Sequence, residues 1–319
     1  MRKFITSLIL VLGLSLPLLA QPKPYKIKPI KFASRAQKAK GIRVDLANIE
    51  TFFSLIPPGQ YRRDKGEVQT TQSFYMMKVE VPNMLYRLFI ADLQKQGRVE
   101  EVKVSLPDSN AWGTNNLAYV DYYYSHPAYS EYPVIQVPRQ GVLLFCAWLG
   151  EKVKTIQLKD WKNKKIEFRL PTEHEWMVAA SGGDTNAIFS WKGPYMTMGS
   201  GPWNGDFMAN FRRTDNGSII RDENGKLTVR KYTSNTRWDY YFQMNNTADI
   251  TAPVLNYWPN AYGLFCMTGN VREMVQEEGF TKGGSWFDPG GECTIEFRNT
   301  YHKEGYPCEG FRIIAVVTE

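Results

Sequence analysis

Arg169-Leu170-Pro171-Thr172-Glu173-His174-Glu175-Trp176-Met177-Val178-Ala179-Ala180 is the most specific stretch of the chain. Thr172 stands where a helix would begin, and Glu175 follows three residues later, the spacing at which a threonine hydroxyl and a glutamate side chain cap each other's backbone amides. Behind that start, Trp176, Ala179 and Ala180 supply an apolar face. His174 sits in the first turn on the side away from Trp176 and reads as a solvated histidine rather than a catalytic one.

Around this helix the elements are short. Phe52 to Tyr61 reads as a strand broken by Pro57-Pro58-Gly59, and Phe74 to Val81 as another. Pro82-Asn83 then opens a helix whose apolar positions 85, 86, 89, 90 and 93 keep helical spacing. Residues 99 to 132 are aromatic and polar, and read as a loop packed by its own rings, with a binding surface as the alternative. Tyr132 to Val137 reads as a strand and Gly141 to Leu149 as a helix. Near the end, Gly283-Gly284-Ser285-Trp286-Phe287-Asp288 closes a strand at paired glycines. A polar loop with Cys293, Arg298 and Cys308 follows, and Gly310-Phe311-Arg312 leads into a last β-branched strand.

These pieces, in this order over roughly residues 50 to 317, resemble the formylglycine-generating enzyme, or sulfatase-modifying-factor, family. The correspondence rests on Arg169-Leu170-Pro171-Thr172-Glu173-His174-Glu175-Trp176, on Phe145-Cys146-Ala147-Trp148-Leu149, on Gly283-Gly284-Ser285-Trp286 and on Gly310-Phe311-Arg312. It implies an α+β, C-type-lectin-like fold, loop-rich with small antiparallel sheets. In the family's oxidases two cysteines of the closing loop hold one copper(I) ion; the first of those positions is Asp288 here and the second is Cys293. A hard carboxylate suits copper(I) poorly. The resemblance therefore implies a scaffold without oxidase activity, needing no copper. The alternative is an oxidase with a rearranged pair, Cys293 and Cys308, and with Ser285 and Trp286 lining the substrate groove.

The resemblance also implies calcium as a candidate cofactor. Asn210, the carbonyl of Phe211, Asn246 and Asp249 are candidates for one site, and the carbonyls of Gly269 and Val271 with the carboxylate of Glu273 for a second, where Cys266 replaces an asparagine ligand. An ordinary turn rich in Asn and Asp is the competing account around 246 to 249. The histidines at 126, 174 and 302 form no cluster, which argues against an iron site.

The N-terminus carries its own signals. Met1-Arg2-Lys3, an apolar run from Phe4 to Leu19 and then Ala20-Gln21 form the layout of a secretory signal peptide at 1–20, cut near Ala20. A basic arm at 21–45 follows, and one domain occupies 46–319. Residues 1 to 43 hold ten Lys and Arg and no acid, so the +7 net charge lies entirely in the leader and the arm, and 44 to 319 carry −3. A nucleic-acid partner is not expected from a mildly acidic domain. The arm at 21–43 is expected to serve as a spacer or to contact cell wall or another anionic surface.

Four cysteines in an exported chain raise the question of disulfides. Cys146 and Cys266 read as buried small apolar residues, whereas Cys293 and Cys308 share one polar loop and could be bridged or free. His126-Pro127-Ala128-Tyr129 before Tyr132-Pro133-Val134, with Tyr257-Trp258-Pro259-Asn260, is similar to the gliding-motility and type IX secretion lipoproteins of the family. The expectation that follows is an exported, envelope-associated, non-catalytic protein that binds protein partners. A glycan- or peptide-binding module is the further alternative.

Overall fold

The computed structural model describes residues 46–62, 68–112, 117–156, 158–199, 205–212, 217–223, 225–231, 250–302 and 307–318. The expected signal peptide, the basic arm, Asn246 and Asp249 lie outside the described residues.

Four strands open the domain: β1 (Phe53–Ile56), β2 (Gly59–Arg62), β3 (Val68–Thr71) and β4 (Phe74–Met77). Helices α1 (Asn83–Lys95), α2 (Val99–Ser105), α3 (Leu117–Tyr122) and α4 (Arg139–Lys154) follow, then β5 (Lys165–Arg169) and α5 (Glu173–Ala180). A hairpin, β6 (Gly217–Arg221) and β7 (Leu227–Lys231), precedes β8 (Arg272–Met274), β9 (Phe280–Lys282), β10 (Asn299–Thr300), β11 (Glu309–Phe311) and β12 (Ile314–Thr318). Two four-stranded sheets result, with orders β1-β4-β12-β5 and β10-β9-β8-β11, beside the two-stranded pairs β2-β3 and β6-β7. Among the described residues every pairing of these strands is antiparallel except β8 with β11. This is the α+β, loop-rich architecture expected.

α1 begins directly after Pro82, and Leu85, Tyr86, Phe89, Ile90 and Leu93 are all buried, as their spacing requires. They meet Phe145, Trp148 and Leu149 of α4 in the main core, where the Tyr86 and Phe145 rings stack at 5.6 Å. At α5 the capping box is complete. The Glu175 amide donates to Thr172 Oγ1 at 3.2 Å and the Thr172 amide to Glu175 Oε2 at 2.8 Å. Glu175 does double duty, since Arg169 donates to both of its carboxylate oxygens at 2.7 and 2.8 Å.

Two expectations need correction. Tyr132 to Val137 is not a strand: its amides at Val134 and Gln136 do bond to Val81 and Glu309, but Gln136 adopts φ of 63° between Pro133 and Pro138, and the ladder stops. Residues 99 to 132 are not a structureless loop either, since α2 and α3 lie within them. The rings do pack on one another, Trp112 against Tyr119 at 4.9 Å and Tyr129 against Tyr132 at 5.1 Å, while Tyr122 stays exposed.

Candidate functional site

β8 is three residues long and divides two chemistries, because successive side chains of a strand point to opposite faces. Arg272 and Met274 share one face with Glu309 and Phe311 of β11, and Glu273 looks the other way, toward Lys282 of β9.

On the Arg272 face the chain returns through the loop after β9. Gly283 and Gly284 take φ of 88° and 67°, and a Cβ on Gly284 would stand 2.5 Å from Cys293 Sγ and 2.8 Å from the Glu292 carbonyl oxygen. Only glycine lets the loop pass that close to Cys293. The turn delivers Asp288 to Arg272: Nε donates to Oδ2 at 2.8 Å and Nη2 to Oδ1 at 2.5 Å. Ser285 Oγ donates to Asp288 Oδ2 at 2.6 Å, and the Arg212 amide donates to the Asp288 carbonyl oxygen at 2.8 Å. Asp288 is buried. Burial alone would lower the Arg272 pKa, but the hydrogen bonds and charge of Asp288 outweigh it and hold the guanidinium more firmly charged than usual.

Both cysteines of the loop flank this pair. Cys293 Sγ lies 3.6 Å from the Pro289 carbonyl oxygen and 3.9 Å from that of Asp288. Burial, with the charges of Asp288 and Glu292 added, pushes its thiol well above the ordinary range. Burial pushes Cys308 up to about 12 against an opposing hydrogen bond with Ser285. All four cysteines are free, so no disulfide joins Cys293 to Cys308. Trp286 sits at the rim of the same loop. It stacks on Trp112 at 6.4 Å and donates from Nε1 to the Pro307 carbonyl oxygen at 3.2 Å.

On the opposite face a second charged knot is sealed in the core. Arg312 is 0% exposed and donates to both oxygens of Glu273, at 2.6 Å from Nη2 and 2.9 Å from Nε. Its remaining donors reach the Met77 and Phe265 carbonyl oxygens at 3.1 and 2.8 Å. Trp176 Nε1 donates to Glu273 Oε2 at 2.7 Å, which explains the indole of the 169–180 motif: it ties α5 to β8. Beside them, Glu80 is fully buried and accepts from Asn270 Nδ2 at 2.9 Å.

A family model, the sulfatase-modifying factor enzyme 1-like domain, matches residues 47–317. The chain belongs to that family. Among curated relatives, it is 25% identical over 152 residues to the formylglycine-generating enzyme of Mus musculus, covering 46% of this chain and 28% of the mouse protein. It is 24% identical over 167 residues to the inactive C-alpha-formylglycine-generating enzyme 2 of Bos taurus, covering 50% of this chain and 40% of the bovine protein. The chain thus spans well under half the length of these relatives. Among solved structures, PvdO from Pseudomonas aeruginosa aligns at a TM-score of 0.48 and 18% identity, over 82% of this chain and 93% of that one.

Against the family's two-thiolate copper centre, the residues of this sulfatase-modifying-factor-like domain do not fit. The first thiolate position is Asp288, whose two carboxylate oxygens are already taken by Arg272 and Ser285. Burial raises the pKa of both Cys293 and Cys308, so each sulfur carries its proton until a soft metal displaces it. The alternative pair, Cys293 and Cys308, is free and buried next to Ser285.

At the second candidate calcium site the one carboxylate is already engaged. Glu273 is bound by a guanidinium, so the positive charge it would seek is supplied by Arg312 from within the domain. The Gly269 amide donates to Gly283, and its Cα lies so near Asn210 that a Cβ would stand 2.3 Å from the Asn210 carbonyl oxygen. At the other candidate site, Asn210 is buried, donates to the Ile250 carbonyl oxygen at 2.7 Å, and accepts on its own carbonyl from the Asn270 amide at 2.7 Å; Phe211 is buried next to it. Among the described residues no three His, Cys, Asp or Glu side chains gather as a metal site.

Glu80, Asn270 and Arg272 lie in stretches that resemble the family, but nothing local in the sequence assigns them a role. Their signal lies in the partners, 16 residues away for Arg272 and 190 for Asn270. Glu80 has a testable consequence: burial pushes its carboxyl from 4.5 up to about 8, against the charge of Arg312. The folded protein keeps this proton where the unfolded chain has lost it. Its contribution to stability is therefore complete below about pH 4.5 and is lost as the pH rises through about 8. Melting curves between pH 5 and 8.5 are expected to fall more steeply for the natural chain than for Glu80→Gln, with the two converging in acid. Parallel curves would show that Glu80 titrates normally.

Proposed function

We propose that this chain is a non-catalytic binding protein built on the sulfatase-modifying-factor fold, exported and working through its surface in an assembly of the cell envelope. The observation that carries the first half is the occupied centre: Asp288, clamped by Arg272 and Ser285, stands where the family's oxidases need sulfur. The bovine relative named as inactive is consistent with such a role for the fold. Export is supported by the basic start, apolar run and Ala20-Gln21 boundary, and the envelope setting by the segments around His126 and Tyr257 that are similar to gliding-motility and type IX secretion proteins. In this reading the basic arm at 21–43 makes contact with cell wall or another anionic surface.

A competition titration tests the catalytic half. Purified, fully reduced protein is expected to leave copper(I) with a bathocuproine chelator and to consume no oxygen with a cysteine-containing peptide. One tightly held copper(I) per chain, together with an aldehyde product in the peptide's mass spectrum, would overturn the reading.

A further inference from the structure

A second surface lies away from the Asp288 centre. α4 runs 16 residues, about 24 Å at the usual rise, from Arg139, which donates to the Val275 carbonyl oxygen, to Lys154. Around its far end opens a cleft of about 770 Å³, lined by the last turns of α4, by Ile156 and Leu158, and by residues 161 to 168. Its floor is apolar: Val153, Leu158, Trp161, Ile166 and Phe168. Trp161 is pinned there, with its ring 5.4 Å from Phe53 and 5.1 Å from Tyr75.

Two features say what would fill the cleft. First, it runs along a strand edge. Lys165, Ile166, Glu167 and Phe168 line it consecutively. A pocket over one face of a strand would be lined by alternate residues only. Among the described residues β5 is the last strand of its sheet and pairs with β12 alone, and no β12 residue lines the cleft. Among the described residues, no further backbone hydrogen bond is made by 165 to 168. The open edge is a row of donors and acceptors that an extended chain can pair. Second, the rim is basic: Lys154, Lys162, Lys164 and Lys165 are exposed around it, against Glu151 and Glu167.

We propose that this cleft docks an extended, acidic segment of a partner protein, which adds to β5 as a fifth strand of the β1-β4-β12-β5 sheet. Alternate apolar side chains of the segment reach toward Trp161 and Phe168, and its carboxylates face the lysines. The inference goes beyond the function proposed above and does not depend on the state of the Asp288 centre.

The test uses the full chain and a fluorescently labelled, capped peptide of alternating valine and acidic residues. Saturable binding is expected below about 1 mM, weakening with added salt as screening requires. A Lys162→Glu/Lys164→Glu variant, whose changes are at exposed positions, is expected to bind about tenfold or more weakly. The same peptide with a central proline should lose a similar factor, because proline cannot donate to the ladder. Hydrogen exchange at 165–169 should slow when the peptide is bound. Equal affinity of the proline peptide, an unaffected double variant with a natural circular dichroism spectrum, or no binding at the stated concentration would each overturn the proposal. So would lysine-dependent binding to phosphatidylglycerol vesicles with no protection of β5, which would make the surface a lipid contact.

Discussion

Arg312→Met is expected to lower the melting temperature by more than about 10 °C. Removing one partner of a buried ion pair leaves the other charge uncompensated, at about 3–5 kcal/mol. Here the loss is compounded, because the Met77 and Phe265 carbonyl oxygens also lose their donor, each at about 1–3 kcal/mol when buried. A total near 5 kcal/mol or more corresponds to shifts of about 2–4 °C per kcal/mol for a domain of this size. Glu273→Gln should cost less, since Glu80 stands close enough for Arg312 to lower its pKa and can release its proton to replace the missing charge. Differential scanning calorimetry of both variants at pH 7 checks the order. If Arg312→Met melts within a few degrees of the natural chain, the knot between Glu273 of β8 and Arg312 does not hold the core together.

The second large effect concerns Asp288, and it separates structure from chemistry. Asp288→Ala removes the carboxylate that Arg272, whose side chain is 11% exposed, is paired with, and is expected to cost about 3 kcal/mol, somewhat below the fully buried case because the guanidinium can reach some water. A double variant, Arg272→Met/Asp288→Leu, should recover most of that loss, since an apolar pair of similar volume replaces a desolvated one. Asp288→Cys places sulfur beside Cys293, and the retained Arg272 lowers the new thiol's pKa by its charge. That variant is expected to be less stable than the natural chain and to gain copper(I) affinity in the same chelator competition. A folded Asp288→Cys protein that still yields all its copper to the chelator would show that more than one residue separates this domain from the oxidases.

Local signals carried the scaffold a long way. The capping box at Thr172 and Glu175, the helical spacing from Leu85 to Leu93 and the paired glycines at 283 and 284 each depend on residues within a few positions of one another. Each appears where the sequence places it. The strand read at Tyr132 to Val137 failed because its boundaries are tertiary: two prolines and the left-handed Gln136 leave it only isolated bonds to Val81 and to β11. The apolar run alone could not show that.

At the site the division is sharper. From the sequence by itself followed the family motifs, the substitution at Asp288 and the separation of a basic N-terminal stretch from a mildly acidic domain, because these are matters of residue identity and spacing. Only the tertiary structure decided what Asp288 does, that Glu273 already has its cation in Arg312, that Cys293 and Cys308 remain free, and that β5 has an edge unpaired among the described residues beside a lysine-rimmed cleft. The physical reason is the same in each case. Charge pairing, desolvation and strand order depend on which distant residues share a small volume, and a buried group takes its chemistry from those neighbours rather than from its own type.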